Sequence, residues 1–266
     1  MTELKSHWGW LDRVLFEGGE PTVEFETLLD CISGAKKLQI PNIQINTNLI
    51  NVSFEKLHQL ISAGCNYFEV SVDAFSRELW LKMRGLERDP NGSKKYDGFI
   101  DSLKWLCAQP GVVVDFNYTP TVTNFDECEA VYDLACQLGA RYFSFQNLVC
   151  TTEEIKAISL SEQQLQQKIE KLDLVSSKYS FPATILLCCS EALNSQSFTY
   201  ARDKNHFIEE FKCSCGQQYI YLNYLREVRL CCFGKGLVLG TYQKGNIGEL
   251  WDSKSWNTFY GCPICK

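Results

Sequence analysis

Val14-Leu15-Phe16-Glu17-Gly18-Gly19-Glu20-Pro21 reads as a short strand that runs into a glycine turn. The glycines carry no Cβ, so backbone amides and carbonyls there can touch a ligand directly. Glu20 adds a carboxylate at the turn, and Pro21 fixes the direction in which the chain leaves. Taken alone, the motif fits an ordinary strand-to-helix turn equally well. Its neighbours in the sequence tell the two apart.

Downstream, strand-like and helix-like segments alternate. Glu24–Leu38 carries Phe25, Leu28, Leu29 and Ile32 on one helical stripe. Asn42–Thr47 alternates as a strand. Ser53 can cap a helix with Phe54, Leu57, Leu60 and Ile61 on one face, and Gly64 ends it. Tyr67–Val72 is the third strand. A helical region broken at Asp89-Pro90-Asn91-Gly92 resumes from Tyr96 to Ala108, and Val112–Tyr118 follows. Asn124 with Glu127 has capping-box spacing for a helix that Gly139 stops, before the strand Tyr142–Phe145. Ser161 with Gln164 opens one more helix, and Thr184–Leu187 is a further candidate strand. Repeated strand–helix units predict parallel strands with right-handed crossovers, and function at the C-terminal ends of the strands. Those ends are polar: Glu17-Gly18-Gly19-Glu20, Asn46-Thr47-Asn48, Ser71-Val72-Asp73, Asn117-Tyr118-Thr119 and Gln146-Asn147. The pattern suits a polar ligand lying across the top of the sheet.

The 14 cysteines are unevenly spread. Cys31, Cys65, Cys107, Cys128 and Cys136 sit singly in periodic segments and read as core, as does the pair Cys188-Cys189. Cys213, Cys215, Cys231, Cys232, Cys262 and Cys265 crowd into the last quarter. There a hairpin is expected from Tyr219–Leu222 and Val228–Cys232, with a short helix around Glu249–Trp251. Thiolates at the base of a hairpin and a Cys-x-x-Cys pair make a cage for structural zinc or an iron–sulfur cluster, and spacing does not choose between them. The expected boundaries are a barrel over 1–193, a linker over 194–205 and a Cys-rich domain over 206–266.

The formal net charge of −6 argues against a general nucleic-acid or anionic-membrane surface. No apolar run approaches a bilayer span, and the N-terminus lacks signal-peptide character, so a cytoplasmic protein is expected.

Together these motifs resemble the radical S-adenosylmethionine (radical SAM) family with a C-terminal SPASM/twitch-type domain. The resemblance implies a partial (β/α)6-type TIM-like barrel missing its first strand, plus a small Cys-rich β-hairpin domain. By resemblance, Gly18, Gly19, Glu20 and Pro21 hold the methionyl amino group of S-adenosylmethionine. By the same resemblance Asn46, Thr47 and Asn48 face the cofactor, Ser71 and Asp73 lie near its ribose and carboxylate, and Arg84-Gly85 resembles the family's Lys/Arg-x-Arg-Gly stretch. In the tail, Cys213, Cys231, Cys262 and Cys265 match the ligands of an auxiliary 4Fe–4S cluster, with Cys215 and Cys232 as rivals.

One departure concerns the family's chemistry. It uses a Cys-x-x-x-Cys-x-x-Cys loop upstream of the glycine turn, and Met1–Arg13 contains no cysteine. No catalytic residue is assigned. The expected function is an N-terminally truncated radical enzyme that modifies a peptide or protein. In its complete form it would abstract hydrogen through the 5′-deoxyadenosyl radical, and this chain alone is not expected to cleave the cofactor. The alternatives are a catalytically inactive barrel remnant that binds a peptide or partner around a structural metal, and a zinc-ribbon scaffold on an unrelated α/β domain.

Overall fold

The computed structural model describes residues 1–149, 152–179, 181, 183–186, 208–210, 219–231 and 238–253. Contacts divide them into two units. One comprises Asp12–Leu186 and the segment 208–210; the other comprises Met1–Leu11 and the described residues from 219 onward. The first helix, α1 (Thr2–Trp8), therefore belongs to the second unit. The sequence reading had run the barrel from residue 1.

The larger unit is one parallel sheet. Strand β1 (Arg13–Phe16) leads through a 3-10 turn at Pro21–Glu24 into α2 (Phe25–Lys37), then β2 (Asn42–Thr47), α3 (Phe54–Ala63) and β3 (Tyr67–Ser71). Helices α4 (Arg77–Met83) and α5 (Gly92–Cys107) precede β4 (Val113–Tyr118), and α6 (Cys128–Leu138) precedes β5 (Tyr142–Gln146). Helices α7 (Glu153–Ile158) and α8 (Glu162–Tyr179) lead to β6 (Ala183–Leu186), and β7 (Ile208–Glu210) is the last strand. The order across the sheet is the order in the chain, β1 to β7, and every pair is parallel. Sequential order with right-handed crossovers puts all connecting helices on one face, the arrangement of a TIM-like barrel. Here the sheet starts at β1 and stops at β7, so the barrel is partial.

Period-two patterning explains which face the helices cover. Ile43, Ile45, Phe68, Val70, Val114, Phe116, Phe143 and Phe145 point one way and are buried. Helices α2, α5, α6 and α8 pack on that side with Leu28, Ile32, Leu103, Leu106, Val131, Ala135, Ile169 and Leu172. The opposite face carries Gln44, Asn46, Glu69, Ser71, Asp115, Asn117, Ser144 and Gln146. Local caps hold where neighbours in sequence supply them: Ser53 Oγ accepts from Lys56 N, and Ser161 pairs reciprocally with Gln164. Asn124 does not cap its helix. A 3-10 turn over Phe125–Glu127 intervenes, and the Asn124 and Glu127 side chains are used elsewhere.

In the smaller unit β8 (Tyr221–Leu222), β9 (Glu227–Arg229) and β10 (Val238–Thr241) form an antiparallel sheet, followed by α9 (Ile247–Trp251). The expected hairpin is present, and β10 adds a strand to it. Helix α1 docks on α9 and on the turn before it. Trp8 meets Trp251 edge-to-face at 4.8 Å, Glu3 accepts from Tyr242 Oη and Gly245 N at 2.9 Å, and His7 lies 3.2 Å from Asp252. A Cβ at Gly248 would stand 2.7 Å from the His7 ring, so glycine permits this approach. Among the described residues, no helix is long and apolar enough to cross a membrane.

Candidate functional site

The polar strand ends converge on Glu20. Its Oε1 accepts from Thr22 N (3.2 Å), Thr22 Oγ1 (2.6 Å) and Thr47 Oγ1 (2.7 Å), and its Oε2 accepts from Asn48 N (2.8 Å). The carboxylate thus ties the glycine turn to the end of β2, while Pro21 opens the 3-10 turn that Glu20 caps. The loop after β2 is bent to present that amide. Leu49 and Asn51 hold left-handed backbone, with φ of 56° and 62°. Such conformations are costly for side-chain-bearing residues and are kept where the surroundings enforce them. Burial of Leu49, the bond from its N–H to Thr47 Oγ1 and the Asn48 turn to Ile50 N do so here.

Gly18 and Gly19 sit beside this carboxylate. Neither has a positive φ, and a Cβ built on either meets no atom within 4 Å. Nothing inside the described protein requires glycine at these positions. A requirement that remains is open backbone for a ligand to approach. Gly85 differs: its φ of 65° needs glycine to end α4.

A second cluster forms at the end of β3. Arg84 Nη2 donates to Ser71 O (2.8 Å) and Asp73 Oδ2 (3.0 Å). Asp73 Oδ1 accepts from Thr119 N, and Asn124 Nδ2 donates to Asp73 O and Thr119 O. Burial raises the Asp73 carboxyl, and the Arg84 guanidinium opposes that rise. Glu127 accepts from Phe75 N, Ser76 N and Ser76 Oγ, which fixes the start of α4. Sequence reasoning named Ser71, Asp73 and Arg84 and missed Asn124 and Glu127 as their supports. It also named Asn46, whose amide donates to Glu69 Oε1 on the inner face of the sheet.

That inner face is the other group the sequence reading passed over. Glu69 accepts from Gln44 Nε2 (2.7 Å), Asn117 Nδ2 (2.7 Å) and Asn46 Nδ2 (3.2 Å). Asp115 accepts from Tyr67 Oη (3.0 Å) and Ser144 Oγ (2.9 Å). Burial, then the charge of Asp115, pushes the Glu69 carboxyl up to about 7. Burial also raises Asp115 and Glu17. The signal lay in the polar half of each strand's alternation, which the strand ends overshadowed.

Of the tail cysteines, Cys231 is buried at the end of the β9 strand segment. Cys213, Cys215, Cys232, Cys262 and Cys265, like Cys188 and Cys189, lie outside the described residues. Among the described residues, no group of three or more His, Cys, Asp or Glu side chains is placed to hold a metal ion.

Solved structures share this architecture. SuiB of Streptococcus suis, bound to S-adenosylmethionine, superposes with a TM-score of 0.69 at 13% identity, covering 95% of this chain and 59% of SuiB. SuiB bound to its precursor peptide SuiA gives 0.68 at 14% identity with the same coverage. Native anSMEcpe with bound AdoMet gives 0.62 at 13% identity, covering 97% of this chain and 71% of the other. This chain therefore spans less than two thirds of SuiB. No curated protein matches the sequence. At these identities the likeness establishes the fold. The family rests on the sequence itself: residues 1–135 of the 266 match the Radical SAM superfamily, and the chain belongs to it.

Proposed function

We propose that the C-terminal edge of the sheet binds S-adenosylmethionine, and that the chain is part of a radical SAM protein that modifies a peptide or protein. The observation that carries this reading is the open glycine pair beside a fixed carboxylate. Gly18 and Gly19 are free of internal demands, and Glu20 is held by four donors yet keeps acceptor capacity on Oε2. A carboxylate so placed suits an ammonium group. Glu20 and the Gly18–Gly19 backbone would hold the amino-acid end of the cofactor, with Thr47 and Asn48 orienting Glu20. Ser71 would face the ribose and carboxylate, and Arg84 would hold the Ser71–Asp73 backbone in place. When bound and reductively cleaved, this cofactor supplies a 5′-deoxyadenosyl radical that abstracts hydrogen.

Among the described residues no group of three thiolates is placed to hold the cluster for that cleavage. An auxiliary 4Fe–4S cluster on Cys213, Cys231, Cys262 and Cys265 remains a proposal by resemblance. A peptide substrate is supported by the SuiB complex with SuiA.

Calorimetry on the 266-residue chain tests the cofactor site. Gly19→Val adds a side chain where nothing stands within 4 Å, so it should leave the unfolding midpoint unchanged. It should weaken S-adenosylmethionine binding by about tenfold or more, and Glu20→Gln should also weaken it by removing the charge opposite the ammonium. Unchanged affinity in Gly19→Val, or no binding by the unaltered chain, contradicts the proposal.

A further inference from the structure

Acceptors outnumber donors on the inner face of the sheet. Gln44, Glu69, Asp115 and Asn117 stand there on three adjacent strands, with Glu69 opposite Asp115, Gln44 opposite Tyr67 and Asn117 opposite Ser71. Glu69 uses amide hydrogens of both Gln44 and Asn117. The oxygens left behind, Gln44 Oε1 and Asn117 Oδ1, are buried without a hydrogen-bond partner among the described residues, and so is Asp115 Oδ1. Each of these three residues is at most 6% exposed. Buried acceptors are rarely left so. Charge is unbalanced in the same sense. Asp115 and Glu17 both oppose the charge of Glu69, and the guanidinium of Arg13 is the cation that bears on Asp115 and Tyr67. Glu69 itself is intermediate in exposure, where Gln44, Asp115 and Asn117 around it are buried. Three amides hold it in place, so a ligand need not order it.

We infer that the inner face is a subsite for an organic cation, an alkylammonium or guanidinium group of the lysine or arginine type, seated against Glu69. It lies two residues below Ser71 on β3, about 7 Å along the strand. Among the described residues no metal-holding group of three or more ligating side chains occurs, which favours an organic cation over a metal ion. The inference rests on the proposed function in that the substrate peptide would carry the cation beneath the cofactor.

The titratable groups that face Glu69 are Glu17 at the β1 side, Tyr67 on its own strand and Asp115 on β4, and Arg13 is set against Asp115 and Tyr67. Neither Asp115 nor Glu17 favours the ionised form. A bound cation should do so strongly.

The test is titration of the full chain, labelled with carbon-13 at glutamate Cδ, with n-butylammonium, n-butylguanidinium and n-butanol. Both cations are expected to give a saturable shift at Glu69 and to lower its midpoint by about half a unit or more, with butanol inert. Glu69→Gln assigns the signal, and in it cation binding should weaken about fivefold or more. The variant should fold, because the Gln44 amide can turn over and offer its unpartnered oxygen to the new NH2 group. The titration of the unaltered chain stands by itself if the variant does not. An equal response to butanol, no response to either cation, or full binding by Glu69→Gln overturns the subsite. Neither cofactor nor cluster enters the readout. Loss of S-adenosylmethionine binding with cation binding intact overturns the proposed function and upholds the subsite; the reverse overturns the subsite alone.

Discussion

Glu69 is a carboxylic acid on the inner face of a sheet, and its surroundings oppose its charge. Burial is the larger cause and Asp115 the second, while the amides of Asn117 and Gln44 act the other way. The net effect pushes its carboxyl from 4.5 up to about 7. Because the folded value is the higher one, the native state binds the proton more tightly than the unfolded chain does. The stability this contributes is fully present below pH 4.5 and is lost as pH rises through about 7. A shift of that size corresponds to about 3 kcal/mol at most. Glu69→Gln carries no titrating proton, so it should be the more stable chain above neutrality, and its unfolding free energy should lose that slope. Urea unfolding between pH 5 and pH 8 measures this. An identical slope in both chains would show that Glu69 ionises without penalty. Gly18 and Gly19 make the complementary point: neither strain nor crowding within the described protein asks for glycine there.

Elements are joined by contacts that reach far along the chain. Helix α4 begins under Glu127, which serves Phe75 N at 2.7 Å and Ser76 N at 3.0 Å across 51 or 52 residues. Asn124 binds Asp73 O in the same way. Read locally, Asn124 and Glu127 have capping-box spacing for their own helix. Glu127's partners and the Asp73 carbonyl bound by Asn124 belong to the previous strand–helix unit, and sequence neighbours carry no trace of that pairing. Ser53 and the Ser161–Gln164 pair were legible because donor and acceptor lie three residues apart. Removing the Glu127 carboxylate strands two backbone N–H groups at the turn beside Asp73. Glu127→Ala should therefore cost about 1–3 kcal/mol of stability, with Glu127→Gln recovering most of it. Equal stability of the alanine variant and the unaltered chain by urea unfolding would mean that water replaces the carboxylate without loss.

At the scale of the molecule, the parallel sheet was legible because its period-two and period-3.6 patterns repeat over long segments. Six of the seven strands follow from them. The seventh, Ile208–Glu210, has three residues, too few to display a period, and fell within the stretch read as the tail. Helix α1 has seven residues and no side-chain cap, and its docking on the smaller unit depends on Trp251, Tyr242 and Asp252 at the far end of the chain. The polar strand ends are legible as a candidate ligand edge. The acceptor-rich face behind it was written in the same alternation, but which side of an alternating strand faces inward depends on where the helices pack.

The central claim is that Glu20, Asn48 and Ser71 line one S-adenosylmethionine site. Hydrogen–deuterium exchange of the chain with and without that molecule tests it most directly. The account predicts slower exchange at 17–20, 47–50 and 71–74, abolished in Gly19→Val, with α5 and α8 unaffected. Unchanged exchange at the glycine turn, or protection confined to residues after 218, would contradict it.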